Sequence, residues 1–257
     1  MKSNRPNQIR QLLFANGEMS IAQLAVALGA SEPTIRRDLT EMEKGGVVVR
    51  SHGGARIADD ANREIAFDAR EQVRLPQKRA ISEAAYELLT PNTSIFLDAG
   101  TTVLQLARLI RLRPVRLDIF TNCLPVAQVL LDVPEVDLTV LGGQVRAENA
   151  SMVGAVTQQV LEGLRFNQAF LGMGALGDDG FIYTADSLEA MLNASTLKRC
   201  DRAVILSDSS KLGTYLTHRV GALEPGTTLV TDDELRADWQ ERLREMGIAL
   251  EIAGPTE

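Results

Sequence analysis

The chain has 257 residues, of which 45% are apolar and 24% charged. That balance excludes wholesale disorder and fits one or two globular domains. The formal charge is −7, which taken whole opposes a nucleic-acid partner, because phosphate backbones attract cations. The sum conceals a division: residues 1–57 carry a net +3 and the rest a net −10.

Three short helices are predicted first. Ile9, Leu12 and Leu13 stripe one that stops at Asn16-Gly17. Ser20 and Gln23 are spaced as a capping box for the second, whose Ile21, Leu24, Ala25 and Leu28 follow the i, i+3, i+4, i+7 pattern until Gly29. Ser31 is placed to cap the third, Pro33 falls in its first turn, and Ile35, Leu39 and Met42 face a core until Gly45-Gly46. Residues 47–50 read as a strand that turns at Gly53-Gly54. Residues 58–76 are polar and unpatterned, and both a linker and an extended helix fit them.

From Lys78 the periodicity alternates. Helical stripes run through Ile81, Ala84, Ala85 and Leu88, through Val103, Leu106, Ala107 and Ile110, through Leu188, Met191, Leu192 and Ser195, and through Leu235, Trp239, Leu243 and Met246. Strands are expected at 94–97, 115–120, 137–141, 168–171, 203–206 and 228–230. Strands alternating with helices imply βαβ units and a mostly parallel sheet. The fold class is therefore α/β, with three segments: a small N-terminal helix-turn-helix head with a wing at 1–57, a linker at 58–76 and an α/β domain at 77–257.

Several classes are set aside. Cys123 and Cys200 cannot make a disulfide framework, and His52 and His218 are far from any metal-ligand spacing, so no metal is expected. No uncharged run has membrane-helix length, and Met1-Lys2-Ser3-Asn4-Arg5-Pro6 leads into no apolar stretch, so no membrane partner and a cytoplasmic location are expected.

In the head, Ser20 to Leu39 is a helix, a tight glycine-containing turn and a second helix. With Ile35 and Leu39 inward, Pro33, Arg36, Arg37 and Thr40 lie outward, with Thr34 at their border. Arginines beside hydroxyls suit a helix in the major groove, where Arg contacts guanine or phosphate and Ser or Thr donates to phosphate. The candidate DNA contacts are Ser20, Ser31, Pro33, Thr34, Arg36 and Arg37, joined by Arg50, His52 and Gly53 of the wing. The plainer reading is a helical protein-interaction module with a solvated basic face. The tri-helix, the wing and the local charge favour double-stranded DNA.

These residues also carry a resemblance. Ser31-Glu32-Pro33-Thr34-Ile35-Arg36-Arg37-Asp38-Leu39, followed by Arg50…His52-Gly53-Gly54-Ala55, resembles the amino-terminal winged helix of the DeoR family of bacterial transcriptional repressors. Leu97-Asp98-Ala99-Gly100-Thr101-Thr102, Thr121-Asn122, Leu141-Gly142-Gly143 and Asp208-Ser209-Ser210-Lys211 follow in the family's order, so the resemblance covers nearly the entire chain.

The body has its own physical reading. Ligands of an open parallel sheet bind beyond the carboxyl ends of its strands. After successive strands come Asp98-Ala99-Gly100-Thr101-Thr102, Asn122, Gly142-Gly143, Gly172-Met173-Gly174, and Asp208 with Lys211. Gly100-Thr101-Thr102 opens a helix, where free N–H groups and the dipole favour an anion such as phosphate. Neither a dinucleotide nor an ATP loop is present, and no cofactor is expected. Lys211 and Arg146 offer positive charge. Asp98, Asp208 and Asn122 offer partners to sugar hydroxyls. Tight turns alone would also explain Gly142 and Gly143. Tyr183 and Asp186 are expected to help choose the ligand.

The same loops resemble those of ribose-5-phosphate isomerase and glucosamine-6-phosphate deaminase. That resemblance implies a sugar-phosphate isomerase-like domain and a phosphorylated sugar or polyol as effector. It also implies an alternative, an isomerase-type enzyme with an accessory DNA-binding head, with Glu189 in the place of a catalytic carboxylate. The preferred reading gives Glu189 to a ligand hydroxyl or to capping its helix, with no catalytic residues. The expectation is a homo-oligomeric repressor, dimer or tetramer, of a carbohydrate-metabolism operon.

Overall fold

Ser20 shows how closely local chemistry sets the elements. Its hydroxyl accepts from the Gln23 N–H at 3.2 Å and its own N–H donates to Gln23 Oε1 at 2.8 Å, completing the expected capping box of a helix that Gly29 ends in the left-handed region. The computed structural model describes residues 5–44, 47–51, 53–57 and 67–254, and these fall in two units, Met1–Val73 and Arg74–Glu257. Gly45-Gly46 and His52 lie outside the described residues.

The first unit runs α1 (Arg5–Asn16), β1 (Met19–Ser20), α2 (Ile21–Leu28), α3 (Glu32–Lys44), β2 (Val48–Ser51), β3 (Gly54–Ile57) and α4 (Phe67–Gln72). The strands form an antiparallel sheet in the order β1-β3-β2, with Arg50 opposite Ala55. Ile9, Leu13, Ile21, Leu24, Ile35, Leu39, Met42, Val48 and Ala55 close one core. Each large apolar member contributes roughly 1.5–3 kcal/mol by leaving water. The segment expected as a linker is corrected in part: α4 forms within it because Phe67 and Ala69 bury themselves, which a solvated tether would not do. The second unit likewise begins at Arg74, ahead of the expected 77.

The second unit runs α5 (Leu75–Tyr86), β4 (Thr93–Leu97), α6 (Thr101–Leu112), β5 (Leu117–Thr121), α7 (Leu124–Leu130), β6 (Val136–Val140), β7 (Gln144–Arg146), β8 (Ser151–Val153), α8 (Ala155–Glu162), β9 (Phe166–Gly172), β10 (Ala175–Leu176), β11 (Phe181–Thr184), α9 (Ser187–Leu197), β12 (Cys200–Leu206), a 3₁₀ turn (Ser209–Lys211), β13 (His218–Ala222), β14 (Thr228–Asp232), α10 (Ala237–Glu245) and β15 (Ala249–Ala253). Its main sheet is seven-stranded, in the order β15-β14-β12-β9-β4-β5-β6, and every pairing in it is parallel. Phe96, Phe120 and Phe166 meet at ring distances of 5.4 Å in its core.

The expected strands all appear in this sheet. Missed were β15 at its edge, the β7–β8 hairpin and the antiparallel sheet β10-β11-β13, whose strands are two to five residues long and too short for periodicity to register. From β4 the order steps outward to β5 and β6, then resumes on the other side of β4 with β9, β12 and β14. The reversal falls between β4 and β9, and beyond the carboxyl ends of such a pair open parallel sheets bind their ligands. Among the described residues no helix is long and apolar enough to cross a membrane.

Candidate functional site

Two surfaces collect the chemistry, one in each unit. On α3, Ile35 and Leu39 are fully buried, which by helical geometry turns Arg36 and Arg37 outward; both are exposed, with Pro33 beside them. Glu32 lies 3.3 Å from Arg36, an exposed i,i+4 pair of little energetic weight. Arg37 forms no ion pair among the described residues. Arg5 binds Asp38 through both a hydrogen bond and an ion pair, tying α1 to α3. Arg50 on β2 donates to Thr40 Oγ1 at 3.3 Å, and Thr40 donates to the Arg36 carbonyl at 2.8 Å, so the wing is tied to the same face. Ser31 shares a 2.8 Å hydrogen bond with the Thr34 hydroxyl. Gly53, exposed at the wing turn, has φ of +87°, a conformation that favours glycine.

Beyond the carboxyl ends of β4 and β9 the residues are buried and mutually engaged. Asp98 follows β4 and Gly172 ends β9. The two loops lie side by side: a Cβ built on Gly100 would rest in ordinary contact, 3.8 Å from the Gly172 Cα. Asn193 donates to Asp98 Oδ2 at 3.2 Å. Burial first, then the negative charge of Glu189, pushes the Asp98 carboxyl up to about 8, against the N–H groups of Ala99 and Gly172 and the Asn193 amide. Thr101 and Thr102 are buried in the first turn of α6.

Glu189 is neither exposed nor a helix cap. Asp186 caps α9, accepting from the N–H groups of Leu188 at 2.9 Å and Glu189 at 3.0 Å. Glu189 Oε1 instead accepts from Arg146 at 3.1 Å, Asn149 at 2.7 Å and the Ser151 hydroxyl at 2.7 Å. Arg146 also pairs with Asp186 at 3.2 Å, so its charge is matched by two carboxylates rather than left for an anion. Asn149 reaches on to the Ala99 carbonyl at 3.1 Å, which joins this network to the Asp98 loop. Asn122 lies beside it, its carbonyl accepting from the Met152 N–H at 2.7 Å. The side-chain oxygens of Asn122 and Asn193 are buried and accept no hydrogen bond among the described residues.

A second cluster adjoins through the end of β9. Lys211 donates to the Met173 carbonyl at 3.0 Å. Asp208 accepts from the Ser210 N–H at 3.3 Å and lies 3.2 Å from Arg74 Nε. Burial alone would raise the Asp208 carboxyl, but Lys211, the Ser210 hydroxyl, Arg74 and Lys78 together hold it below the usual range. Lys78 is almost fully buried on α5, one turn before Ser82, whose hydroxyl donates to the Thr102 carbonyl at 3.2 Å. Ser82 and Lys78 on α5 thus link the first turn of α6 to the Asp208–Lys211 turn.

Other expected residues have packing reasons to be where they are. A Cβ on Gly143, whose φ is +123°, would fall 2.0 Å from Thr157 Oγ1, and Thr157 donates to the Gly142 carbonyl at 2.7 Å. On Gly174 a Cβ would fall 2.8 Å from the Tyr183 backbone carbonyl of β11 and 2.5 Å from Leu216. Tyr183 gives its hydroxyl to Asp179 at 2.5 Å, within its own hairpin. Sequence reasoning missed Asn149, Ser151, Asn193, Arg74 and Lys78. Asn193 and Lys78 had a signal: each is a polar residue set into the buried stripe of its helix, with Asn193 one turn after Glu189.

With that geometry in view, comparison with known proteins decides the family. The family model for the DeoR C-terminal sensor domain matches residues 74–233, and that for the DeoR-like helix-turn-helix domain matches residues 5–61. The chain belongs to the DeoR family. It is 32% identical over 98% of its length to the putative aga operon transcriptional repressor of Escherichia coli O157:H7, covering 94% of that protein. It is 34% identical to the lactose phosphotransferase system repressor of Streptococcus mutans, over 90% of this chain and 92% of that one. The HTH-type transcriptional regulator GlpR of Haloferax volcanii is 31% identical over 97% of each. This DeoR-family chain is accordingly a DNA-binding transcriptional regulator with a helix-turn-helix head and an α/β sensor unit. Among solved structures, ribose 5-phosphate isomerase A of Methanocaldococcus jannaschii aligns with 52% of the chain and 53% of its own at 16% identity and a TM-score of 0.37.

Proposed function

We propose that this DeoR-family regulator represses a carbohydrate operon and is released from its operator by a phosphorylated sugar or polyol. The observation that carries the reading is the pair of unpartnered, buried acceptors, Asn122 Oδ1 and Asn193 Oδ1, the second on a side chain that bonds the Asp98 loop leading into α6. A phosphate suits the α6 N-terminus and the lysine, and ligand hydroxyls suit the two acceptors and Asp208. A carboxyl whose proton is held up to about 8, as at Asp98, adds a donor at neutral pH.

Two copies would place their α3 helices in successive major grooves, about 34–36 Å apart. In each, Arg36 and Arg37 contact the duplex, with Ser31, Thr34 and Arg50 at the flanking phosphates. Ligand binding shifts operator affinity only to the extent that it prefers one conformation, and the coupling is reciprocal. The isomerase alternative loses support at Glu189, because an oxygen already accepting three hydrogen bonds is poorly placed to take a substrate proton; no turnover of ribose 5-phosphate is expected.

Replacing Arg36 and Arg37 together by Ala should weaken operator binding by about 100-fold and reduce its salt dependence, measured by fluorescence anisotropy at several ionic strengths. Unchanged binding would mean that α3 does not meet DNA. Lys211→Ala should bind operator as before yet fail to release it when glucosamine 6-phosphate, ribose 5-phosphate or glycerol 3-phosphate releases the parent protein. Release that survives this change would place the anion elsewhere.

A further inference from the structure

Arg74 is the first residue of the sensor unit and directly follows the last residue of the head unit, Val73. Its backbone sits at φ 52° and ψ 37°, a left-handed conformation that costs a residue with a side chain free energy and persists only where its surroundings enforce it. The enforcement is visible. Nη2 lies 2.8 Å from Glu234 Oε2 and 3.4 Å from Asp232 Oδ1, and Nε lies 3.2 Å from Asp208 Oδ1. Gln77 donates to the other oxygen of Glu234 at 2.8 Å. Asp232 in turn accepts from the Ser209 N–H at 2.8 Å and hydroxyl at 2.7 Å. One guanidinium therefore fastens the start of α5 to the loops after β12 and β14.

The three contacts are unequal. The one to Glu234 is a well-formed hydrogen bond, whereas Nε, although buried and close to Asp208, lacks the alignment of one. Asp208 is also the carboxylate that caps the turn carrying Lys211 and that the reading above gives to a ligand hydroxyl.

We propose that Arg74 is a positioning residue: a latch through which ligand occupancy at Asp208 changes the stiffness of the chain that enters the sensor unit. The proposal rests on the phosphosugar reading above. A ligand hydroxyl donating to Asp208 takes up lone pairs that face Arg74 and weakens the least well-made of its contacts. With the latch closed, the chain at Val73–Arg74 is held in one conformation and less freedom is lost when heads engage an operator; with it open, more is lost and operator affinity falls. The same residue thus explains why a strained backbone stands at the junction and why a half-buried guanidinium lies against Asp208 without donating squarely to it.

The test uses the full-length protein. Arg74→Ala should bind operator about 10-fold more weakly with no sugar phosphate present, within the range of allosteric coupling, and the amides of residues 74–78 should exchange faster with solvent. The sugar phosphate that releases the parent protein should release this variant no more than about twofold further. Arg74→Lys should restore part of the operator affinity, since it keeps the charge but not the fork. Glu234→Gln removes none of the groups given to the ligand and should weaken operator binding by about threefold with sugar-phosphate affinity unchanged in calorimetry. An unaltered Trp239 fluorescence spectrum would exclude general loss of packing.

Parent-like operator affinity and amide protection in Arg74→Ala would overturn the latch, as would release by the same factor as the parent. If the parent binds none of the three sugar phosphates, the phosphosugar reading fails, while the operator and exchange measurements still decide the role of Arg74.

Discussion

In the head, Arg36 is 55% exposed and its acidic partner Glu32 is 48% exposed. In the sensor unit, Arg146 is 12% exposed and faces Glu189, itself 7% exposed, at 3.1 Å. The same side chain meets opposite surroundings. On α3 the charge is screened and freely available, so its effect extends to any phosphate that approaches. Beside α9 the charge has been taken from water and must be answered by fixed partners, so it acts on those partners alone. Recognition in the head is left for an external ligand to complete, whereas in the sensor unit most of the polar groups complete one another and only a few acceptors stay open.

That contrast can be broken most severely at Glu189. Glu189→Ala should destabilise the sensor unit by about 3–5 kcal/mol, because Arg146, Asn149 and Ser151 lose their common acceptor in a buried setting. Trp239, the chain's one tryptophan and buried in the core, reports that unit alone in a denaturant titration. Arg165→Ala removes an exposed pair with Asp201 from the same unit and should cost under about 1 kcal/mol. Equal effects from the two changes would erase the distinction drawn here.

Next in size is Asp98. Its carboxyl keeps a proton in the folded protein up to about 8 but gives it up near 4 when unfolded, so between those limits the native state binds more protons. Stability from this group is greatest at low pH and falls as pH rises through that window, by up to roughly 1.4 kcal/mol per pH unit. Asp98→Asn, which copies the neutral form, should flatten that dependence, checked by Trp239 unfolding curves at pH 5, 6.5 and 8. Parallel curves for both proteins would show an ionised Asp98.

A smaller effect than either buried carboxylate gives belongs to the head. Ser20→Ala deletes half of the capping box and should cost about 1 kcal/mol, seen as a lower midpoint in far-ultraviolet circular dichroism with the Trp239 transition unmoved. Movement of both signals together would mean that the two units do not unfold independently.

How much of this was legible beforehand follows the same division. The head could be read almost residue by residue, because its determinants are local: Ser20 with Gln23, Gly29, and the Ile35 and Leu39 stripe. In the sensor unit the strands of the main sheet were legible as apolar runs, and their carboxyl-end loops drew attention to Asp98, Asp208 and Lys211, as the isomerase resemblance did to Glu189. The neighbours of those residues were not legible. Nothing local says that β9 will lie against β4, yet that pairing brings Gly172 to Gly100 and carries Asn193 to Asp98. Ser151 and Asn149 sit on and beside a hairpin whose strands are three residues each, below any periodic signal. Arg74 stood in a stretch whose charges look solvated in sequence, and only tertiary contacts turn it toward Asp208, Asp232 and Glu234. For Glu189, expected on a ligand hydroxyl or as a helix cap, the cap is excluded because Asp186 takes it.

The strand order has a consequence for how the protein comes into being. The head closes through contacts among residues 9–55 and is complete early in translation, which proceeds from the N-terminus. The sensor unit requires Asp98 to meet Asn193, 95 positions later, and Arg74 to meet Glu234, 160 positions later. Closing such loops is slow relative to local structure. A nascent chain therefore possesses a finished reading head long before its sensor unit is assembled, and the polar network around Asp98 and Arg74 is the last part that synthesis completes.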